Sequence, residues 1–97
     1  MTKYLSIVTA AVVLTACAVK PPVQEMAEAR SAIKSAQQLD GKNPKAEVVL
    51  KSAEASLQEA ADAIDMEHYE KARRKAVEAK RKAQKAARIQ RASTTGN

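Results

Sequence analysis

The side chain with the most distinctive chemistry is Cys17, the only cysteine among 97 residues, so no disulfide can form within the chain. It follows a segment typical of an export signal. Residues 1–3 carry one positive charge, residues 4–14 form an apolar run, and Thr15 and Ala16 are small. The run is too short to span a bilayer as a stable anchor. A lone thiol in an exported protein is unusual, because exported cysteines normally pair.

The ending Leu14-Thr15-Ala16-Cys17 resembles the lipobox of bacterial lipoproteins. The resemblance implies that a diacylglycerol is attached to the Cys17 thiol. It also implies that the signal is cut between Ala16 and Cys17 and that the new amino terminus is acylated. Two or more acyl chains hold a protein on a membrane stably, whereas one does so only marginally. The alternative is a plain secretory signal with a chance cysteine.

The residue that follows Cys17 bears on where such a lipoprotein is sorted. It is Ala18 and not aspartate, and the resemblance therefore implies the outer membrane, on its periplasmic side, for a Gram-negative envelope. In a Gram-positive cell the same anchor would lie in the cell membrane. The covalent lipid is the only non-protein group that we expect, and no other cofactor is indicated.

A second group with chemical potential is the set of basic side chains near the C-terminal end. From Cys17 to His68 there are six basic and nine acidic residues, net −3, whereas Tyr69 to Arg91 has ten and two, net +8. On a helical wheel these basic residues lie opposite the alanines. They predict a surface for lipid headgroups, lipopolysaccharide phosphates or anionic cell-wall polymer, made of Lys71, Arg74, Lys75, Arg81, Lys82, Lys85 and Arg88. The alternative is a solvated face that neutralises the acidic first and second helices.

A small helical domain must position these groups. Once residues 1–16 are removed, 81 residues remain, with no Phe or Trp and with alanine as the main apolar residue. Such a core is thin, so we expect helices held by narrow packing. The first helix is predicted from Pro22 to Asp40, because apolar residues recur there at spacings of three and four. They are Met26, Ala29, Ile33 and Ala36.

A very short loop is predicted between the first two helices, which makes them antiparallel. Gly41 is expected as the C-cap of the first helix and Asn43 as the N-cap of the second, with Pro44 at its first position. The second helix is predicted from Pro44 to Ile64 and carries the strongest apolar stripe of the chain. Its members are Ala46, Leu50, Ala53, Leu57, Ala60 and Ile64.

The third helix is predicted from Tyr69 to Ala92, with Tyr69 as the core anchor. Its apolar stripe is out of phase with that of the second helix. A turn or kink is therefore expected at residues 65–68, with Asp65 as a candidate cap and His68 as a turn residue. One long helix with a phase shift is the alternative. The stripe comprises Tyr69, Ala72, Ala76, Ala79, Ala83 and Ala86.

Three segments together resemble domain of unknown function 4398 (DUF4398), over about residues 24–92. They are residues 29–33, residues 53–60 and residues 68–73 with the alanines that follow. Members are often small bacterial lipoproteins, and the family offers no catalytic residues to carry over. Its pattern often has a glycine before an aspartate-tyrosine pair, where this chain has Met66-Glu67-His68.

Several kinds of site find no support in the sequence. There is no nucleophile–base pair, glycine-rich loop or carboxylate pair, so we expect no enzymatic activity. His68 is the only histidine, and one histidine alone cannot build a usual zinc site. Nucleic acid is a poor partner, because the chain lacks an aromatic stacking platform.

The sequence thus predicts an all-α protein, built as an antiparallel helical hairpin or a three-helix unit. Its predicted parts are a cleaved signal (1–16), a lipidated cysteine with a tether (17–22), a helical domain (23–92) and a disordered tail (93–97). The expected function is that of a lipid-anchored envelope protein of structural or adaptor type. Such a protein would bind a protein partner or peptidoglycan, and self-assembly along the alanines is open. The alternative is a polyanion-binding module.

Overall fold

The protein, described here as a computed structural model, consists of three α-helices joined by two short connections. The structure describes residues 20–95. Helix α1 spans Val23–Gln37, α2 spans Pro44–Asp65 and α3 spans Tyr69–Thr95. This stretch contains no strand, and the predicted all-α fold is confirmed in its three-helix form. Cys17 and the signal segment lie outside the described residues.

The start of α2 forms as the sequence predicts. The Asn43 side chain accepts hydrogen bonds from the backbone N–H groups of Lys45, at 2.8 Å, and Ala46, at 3.2 Å. Pro44 occupies the first helical position, where a missing N–H removes no helical hydrogen bond. The side chain of Asn43 therefore satisfies two of the free donors that every helix start leaves.

The end of α1 differs from the prediction, and Gly41 is not its C-cap. The helix ends at Gln37, and Gln38 is the C-cap residue. Gly41 does adopt a left-handed φ of 95°, but within the loop. A Cβ atom at this position would lie 2.5 Å from Nε2 of Gln90. Glycine thus suits both the left-handed backbone and the close approach of the Gln90 side chain.

The side-chain amide of Gln90 fastens this loop to α3. Its Nε2 donates to the carbonyl oxygen of Asp40 at 2.8 Å, and its Oε1 accepts from the N–H of Asn43 at 3.2 Å. Gln90 is only 7% exposed. The contact was not predicted, although one signal existed. Gln90 stands four residues after Ala86, at a position where continuation of the α3 stripe predicts an apolar side chain.

A sharp turn connects α2 to α3, which confirms the prediction of a turn at residues 65–68 and excludes one long helix. Glu67 lies in the left-handed region with φ of 61°. Its N–H donates to the carbonyl of Ile64 at 2.8 Å, and the N–H of His68 donates to that of Ala63 at 2.8 Å. This pair of bonds is the Schellman motif, in which glycine is the usual left-handed residue. The turn stays sharp because Glu67 adopts the conformation that glycine normally supplies.

The cap predicted at Asp65 is wrong, since Asp65 is the last residue of α2 and Met66 is the C-cap. Tyr69 is also not the predicted core anchor, because it is only half-buried. Ala72 is the first fully buried residue of α3. At the other end α3 continues to Thr95, beyond the predicted end at Ala92.

Contacts near the helix ends define how the three helices run relative to one another. Helix α3 packs against both other helices, whereas α1 and α2 contact each other least. Glu25 near the start of α1 pairs with Arg73 near the start of α3, and Asp40 beyond α1 binds Gln90 near the end of α3. Helices α1 and α3 are therefore parallel, and α2 is antiparallel to both. None of the helices within residues 20–95 is long and apolar enough to cross a membrane.

The alanine stripe of α3 forms the centre of the core. Its members Ala72, Ala76, Ala79 and Ala83 have no exposed surface, and the predicted stripe of α1 is buried against them. We call this contact region the alanine seam. It is organised in two layers, of which one contains Met26, Ala60 and Ala76 and the other contains Ile33, Ala53 and Ala83.

The buried face of α2 is turned relative to the prediction. Ser56 and Ala63 are buried, whereas Leu50, Leu57 and Ile64 are only half-buried. The small residues lie against α3, because only they permit the two backbones to approach closely. The larger side chains instead fill the space beside the buried residues of α1.

The left-handed residue of the second turn provides a test of local strain. Replacing Glu67 by glycine should stabilise the protein by about 1 kcal/mol relative to Glu67→Ala, because only glycine removes the cost of the left-handed backbone. Both variants lose the same charge, so alanine is the matched control. Urea unfolding measures the difference, and equal stabilities of the two variants would show that the backbone of Glu67 is unstrained.

The close approach in the alanine seam provides a second test. Ala83→Leu should destabilise the protein by about 1–3 kcal/mol, because the added atoms have no space between the helices. The control is Ala55→Leu, at an exposed position of α2, where we expect a change within about 0.5 kcal/mol. Thermal or urea unfolding compares them, and a seam that accepted leucine as readily as the exposed site would contradict this packing.

Candidate polyanion-binding surface

The seven basic residues predicted to form one surface fall into two groups on α3. Lys75 and Lys82 are half-buried at the edge of the alanine seam, where they contact α2. The other five are exposed on the outer side of the helix. We call these five the outer basic stripe, and they are Lys71, Arg74, Arg81, Lys85 and Arg88.

A polar cluster joins α3 to α2 at the edge of the seam. The hydroxyl of Ser56, a residue only 1% exposed, donates to Oε2 of Glu78 at 2.9 Å and accepts from Nζ of Lys82 at 2.9 Å. Lys82 Nζ also lies 2.9 Å from the same carboxylate oxygen. Lys75 completes the cluster, with its Nζ 3.3 Å from Oε1 of Glu59 and 3.6 Å from Oε1 of Glu78.

These contacts change the protonation behaviour of the cluster. The hydrogen bond from Lys82, followed by that from Ser56, lowers the pKa of Glu78 to about 2. The hydrogen bond to Glu59 and the charge of that carboxylate raise the pKa of Lys75. Each shift favours the charged form, so Glu78 and Lys75 are ionised partners over the whole neutral range.

A second set of ion pairs joins α3 to α1. Lys80 Nζ lies 3.0 Å from Oε1 of Glu28, and this hydrogen bond is the largest cause of the lowered pKa of that carboxyl. Nε of Arg73 lies 3.5 Å from Oε2 of Glu25, and Nη1 of Arg73 lies 3.0 Å from Oε2 of Glu70. Arg73 and Lys80 thus pair with carboxylates of α1, as Lys75 does with Glu59 of α2.

The outer basic stripe is different, because none of its five members has an ion pair within residues 20–95. At 3.6 residues per turn the five side chains fall within an arc of about 100° and extend over about 25 Å of helix. Glu70 and Glu78 interrupt this arc, but they are bonded to Arg73 and Lys82. No acidic residue follows Glu78 in the chain.

This arrangement suits an extended ligand with many negative charges. A row of unpaired cations gives attraction through several weak contacts, each worth about 1 kcal/mol near an anionic surface. A groove of about 600 Å³ lies elsewhere, between α1, α2 and the end of α3. Within residues 20–95 no three His, Cys, Asp or Glu side chains converge to hold a metal. His68 lies exposed in the turn.

Sequence reasoning found the basic residues but missed Ser56. This serine occupies a buried position between Ala53 and Ala60, at spacings of three and four residues from them. A polar residue at such a position is a signal that a hydrogen-bonded partner faces it across the seam. Cys17 and Ala16 lie outside the described residues, so lipidation and cleavage stay predictions.

Comparison with known proteins adds one result. The family described as "Domain of unknown function (DUF4398)" matches residues 24–95. No curated protein and no solved structure gives a match. The matched region begins in the first turn of α1 and ends at the last residue of α3, and thus covers all three helices.

The low pKa of Glu78 predicts a loss of stability in acid. Its pKa is about 2 in the folded chain and near 4.5 when unperturbed. Its contribution to stability is therefore complete above about pH 4.5 and is lost as the pH falls to about 2. Since the carboxylate is partly exposed, we expect a discounted effect of order 1 kcal/mol.

Urea unfolding across this pH range, with the variant Glu78→Gln beside the native protein, measures that loss. The variant should lose less stability on acidification, because it has no carboxylate to protonate. Ser56→Ala is the matched control. It should keep most of the pH dependence, since the Lys82 hydrogen bond is the larger cause. Parallel pH profiles for the native protein and Glu78→Gln would contradict the assignment.

Proposed function

The chain belongs to the family of domain of unknown function 4398, and from that premise we propose an adaptor-type protein of the cell envelope. It is held to a membrane by lipid on Cys17, and it binds a polyanion through the outer basic stripe. The observation that carries this proposal is the division of charge on α3. Beside the alanine seam, Arg73 and Lys80 pair with carboxylates of α1, and Lys75 pairs with Glu59 of α2. Lys82 pairs with Glu78 of α3 itself. Within residues 20–95, the cations of the outer basic stripe have no ion pair.

The division of charge favours polyanion binding over docking of a protein on the alanines. Alanines of α3 are buried between α1 and α2, with Ala76 and Ala79 fully inaccessible. A partner that used them would have to displace a helix and expose the seam. Self-assembly through the alanine stripe meets the same obstacle. The outer basic stripe needs no such rearrangement, because its side chains already face solvent.

A binding role also fits the polar groups better than an enzymatic one does. The Ser56 hydroxyl contacts Lys82, yet the residue is only 1% exposed and its hydroxyl is hydrogen-bonded to Glu78 and Lys82. A nucleophile must reach its substrate, and this hydroxyl cannot. We therefore assign the Ser56 cluster to the attachment of α2 to α3.

The membrane attachment in this proposal follows from the sequence at Cys17. A diacylglycerol and an amino-terminal acyl chain on this residue would give the two-chain anchoring that is stable on a bilayer. Residues 18–22 would then be the tether, and Ala18 favours the outer membrane with the helices facing the periplasm. The intact mass of the chain from its native cell tests this part, since lipidation adds mass to a chain that begins at Cys17.

Two triple variants of equal net charge test the binding surface. One changes Arg81, Lys85 and Arg88 to glutamine in the outer basic stripe, and the other changes Arg73, Lys75 and Lys80, whose charges are paired internally. At about 1 kcal/mol per contact the first should weaken binding of long-chain polyphosphate roughly 100-fold at low salt. The second should weaken it much less and should instead lower the stability of the fold.

Fluorescence anisotropy with labelled polyphosphate measures both affinities, and a salt series shows whether binding is electrostatic. Affinity for the native chain should fall steeply as ionic strength rises, because exposed charges are screened beyond about 10 Å at 0.1 M salt. Equal weakening by the two triple variants would mean that only net charge matters. In that case the outer basic stripe is not a binding surface.

A further inference from the structure

The two ends of the three-helix unit differ in what they carry. At one end, which we call the near end, the start of α1 lies beside the turn between α2 and α3, as the 3.5 Å pair of Glu25 and Arg73 shows. At the opposite end, the far end, the α1–α2 loop lies against Gln90 of α3. The segment that leads back toward Cys17 therefore leaves from the near end.

Charge is divided between the same two ends. The near half, residues 20–32 and 55–80, has seven basic and eight acidic residues, net −1. The far half, residues 33–54 and 81–95, has nine basic and three acidic residues, net +6. Exposed carboxylates are concentrated at the near end, where they include Asp62, Asp65, Glu67 and Glu70.

The outer basic stripe follows this division. Lys71 and Arg74 stand within a few residues of Glu67 and Glu70, which reduce the local positive potential. Arg81, Lys85 and Arg88 stand on a segment of α3 that has no carboxylate, since Glu78 is its last acidic residue. The strongest unopposed positive charge of α3 is thus at the far end.

Distance separates this charge from a membrane at the near end. Five tether residues, 18–22, span at most about 18 Å when extended. Residues 81–88 lie a further 18–28 Å, roughly, along α3 from its start at Tyr69. Screening limits attraction to about 8 Å at physiological salt. The carboxylates of the near end also oppose an anionic lipid surface, so the end that carries the tether has little electrostatic attraction to it.

We propose that the far end binds a linear polyanion, of phosphate or carboxylate type, on the side that faces away from the protein's own membrane. The division between a nearly neutral near end, which carries the tether, and a basic far end supports this inference, which rests on the proposed function and its Cys17 anchor. The chain is thereby a bridge between the membrane that holds it and a polymer beyond that membrane's surface. Its anchoring lipid surface is not its ligand.

The unique thiol allows the direction of attachment to be reversed. Residues 17–97 are coupled through Cys17 to maleimide lipid in vesicles. A matched protein, Cys17→Ser with Asn97→Cys, is coupled through the opposite end. Both retain every helix, because the residues that build the core lie within 20–95. Vesicles are either pure phosphatidylcholine or phosphatidylcholine with one third phosphatidylglycerol. Binding of labelled polyphosphate and of labelled poly-L-glutamate is measured on each.

We expect the Cys17-coupled chain to bind polymer on anionic vesicles within about threefold of its affinity on neutral ones. The chain coupled at position 97 should lose at least roughly tenfold on anionic vesicles, because lipid phosphates then occupy the basic end. A preference for polyphosphate or for polyglutamate identifies the anionic group, and either one supports the bridge.

Two results would overturn the inference, and they are distinguishable. An equal, large loss for both couplings on anionic vesicles would show that the stripe binds the protein's own membrane, while polyanion binding itself would stand. Failure of the uncoupled chain to bind either polymer in solution would remove the proposed function, and the bridge with it. Comparing uncoupled with coupled chains separates these two outcomes.

Discussion

The alanine seam is the constraint on which the rest of the structure depends. Each alanine buries little apolar area, so a core without Phe, Trp or a disulfide gains stability only if its helices approach very closely. Close approach brings the edges of α1 and α2 within reach of long side chains on α3. Lys75 and Lys80 thus pair with carboxylates of α2 and α1. Arg81 and Lys85 are exposed on the outer side and have no ion pair within residues 20–95. The packing of the seam thereby determines which basic side chains are ion-paired and which remain exposed to solvent.

A seam of alanines has a weakness, because the same small side chain repeats every three or four residues. One helix could slide along another by a full repeat and find equivalent apolar contacts. Polar contacts remove this ambiguity, since each has a single matching position. The Ser56–Glu78 hydrogen bond fixes α2 against α3, and Gln90 fixes the α1–α2 loop. Gly41 contributes to the same positioning of the loop, because a Cβ atom there would displace the side-chain amide of Gln90.

Much of the fold could be predicted from the sequence, since helix limits and caps depend on near neighbours. Asn43 and Pro44 mark the start of α2, and the stripe containing Met26 and Ile33 identifies the buried face of α1. The wrong predictions concern residues whose burial depends on how all three helices pack together. The predicted stripe of α2 included Leu50 and Leu57, but the buried residues of α2 are alanines and Ser56.

The candidate site was predictable in outline and not in detail. Sequence reasoning placed seven basic residues on one side of α3. A helical wheel does not contain the neighbouring helices, so it cannot show that Lys82 contacts α2 whereas Lys85 is exposed. That separation depends on where Ser56 and Glu59 lie once α2 has packed. Glu67 shows a similar limit, because the left-handed backbone of a non-glycine residue is visible only when the turn is formed.

The parallel course of α1 and α3 has a mechanical consequence. A force that acts between the start of α1 and the outer face of α3 near Arg88 pulls the two helices past each other along their common axis. The ion pair of Lys80 with Glu28, the Gln90 contacts and the buried layers between them would then carry load side by side. Contacts loaded in this shearing manner must break together, whereas contacts that are peeled open break one after another. A force applied in this direction would therefore meet more resistance than one that peels the helices apart.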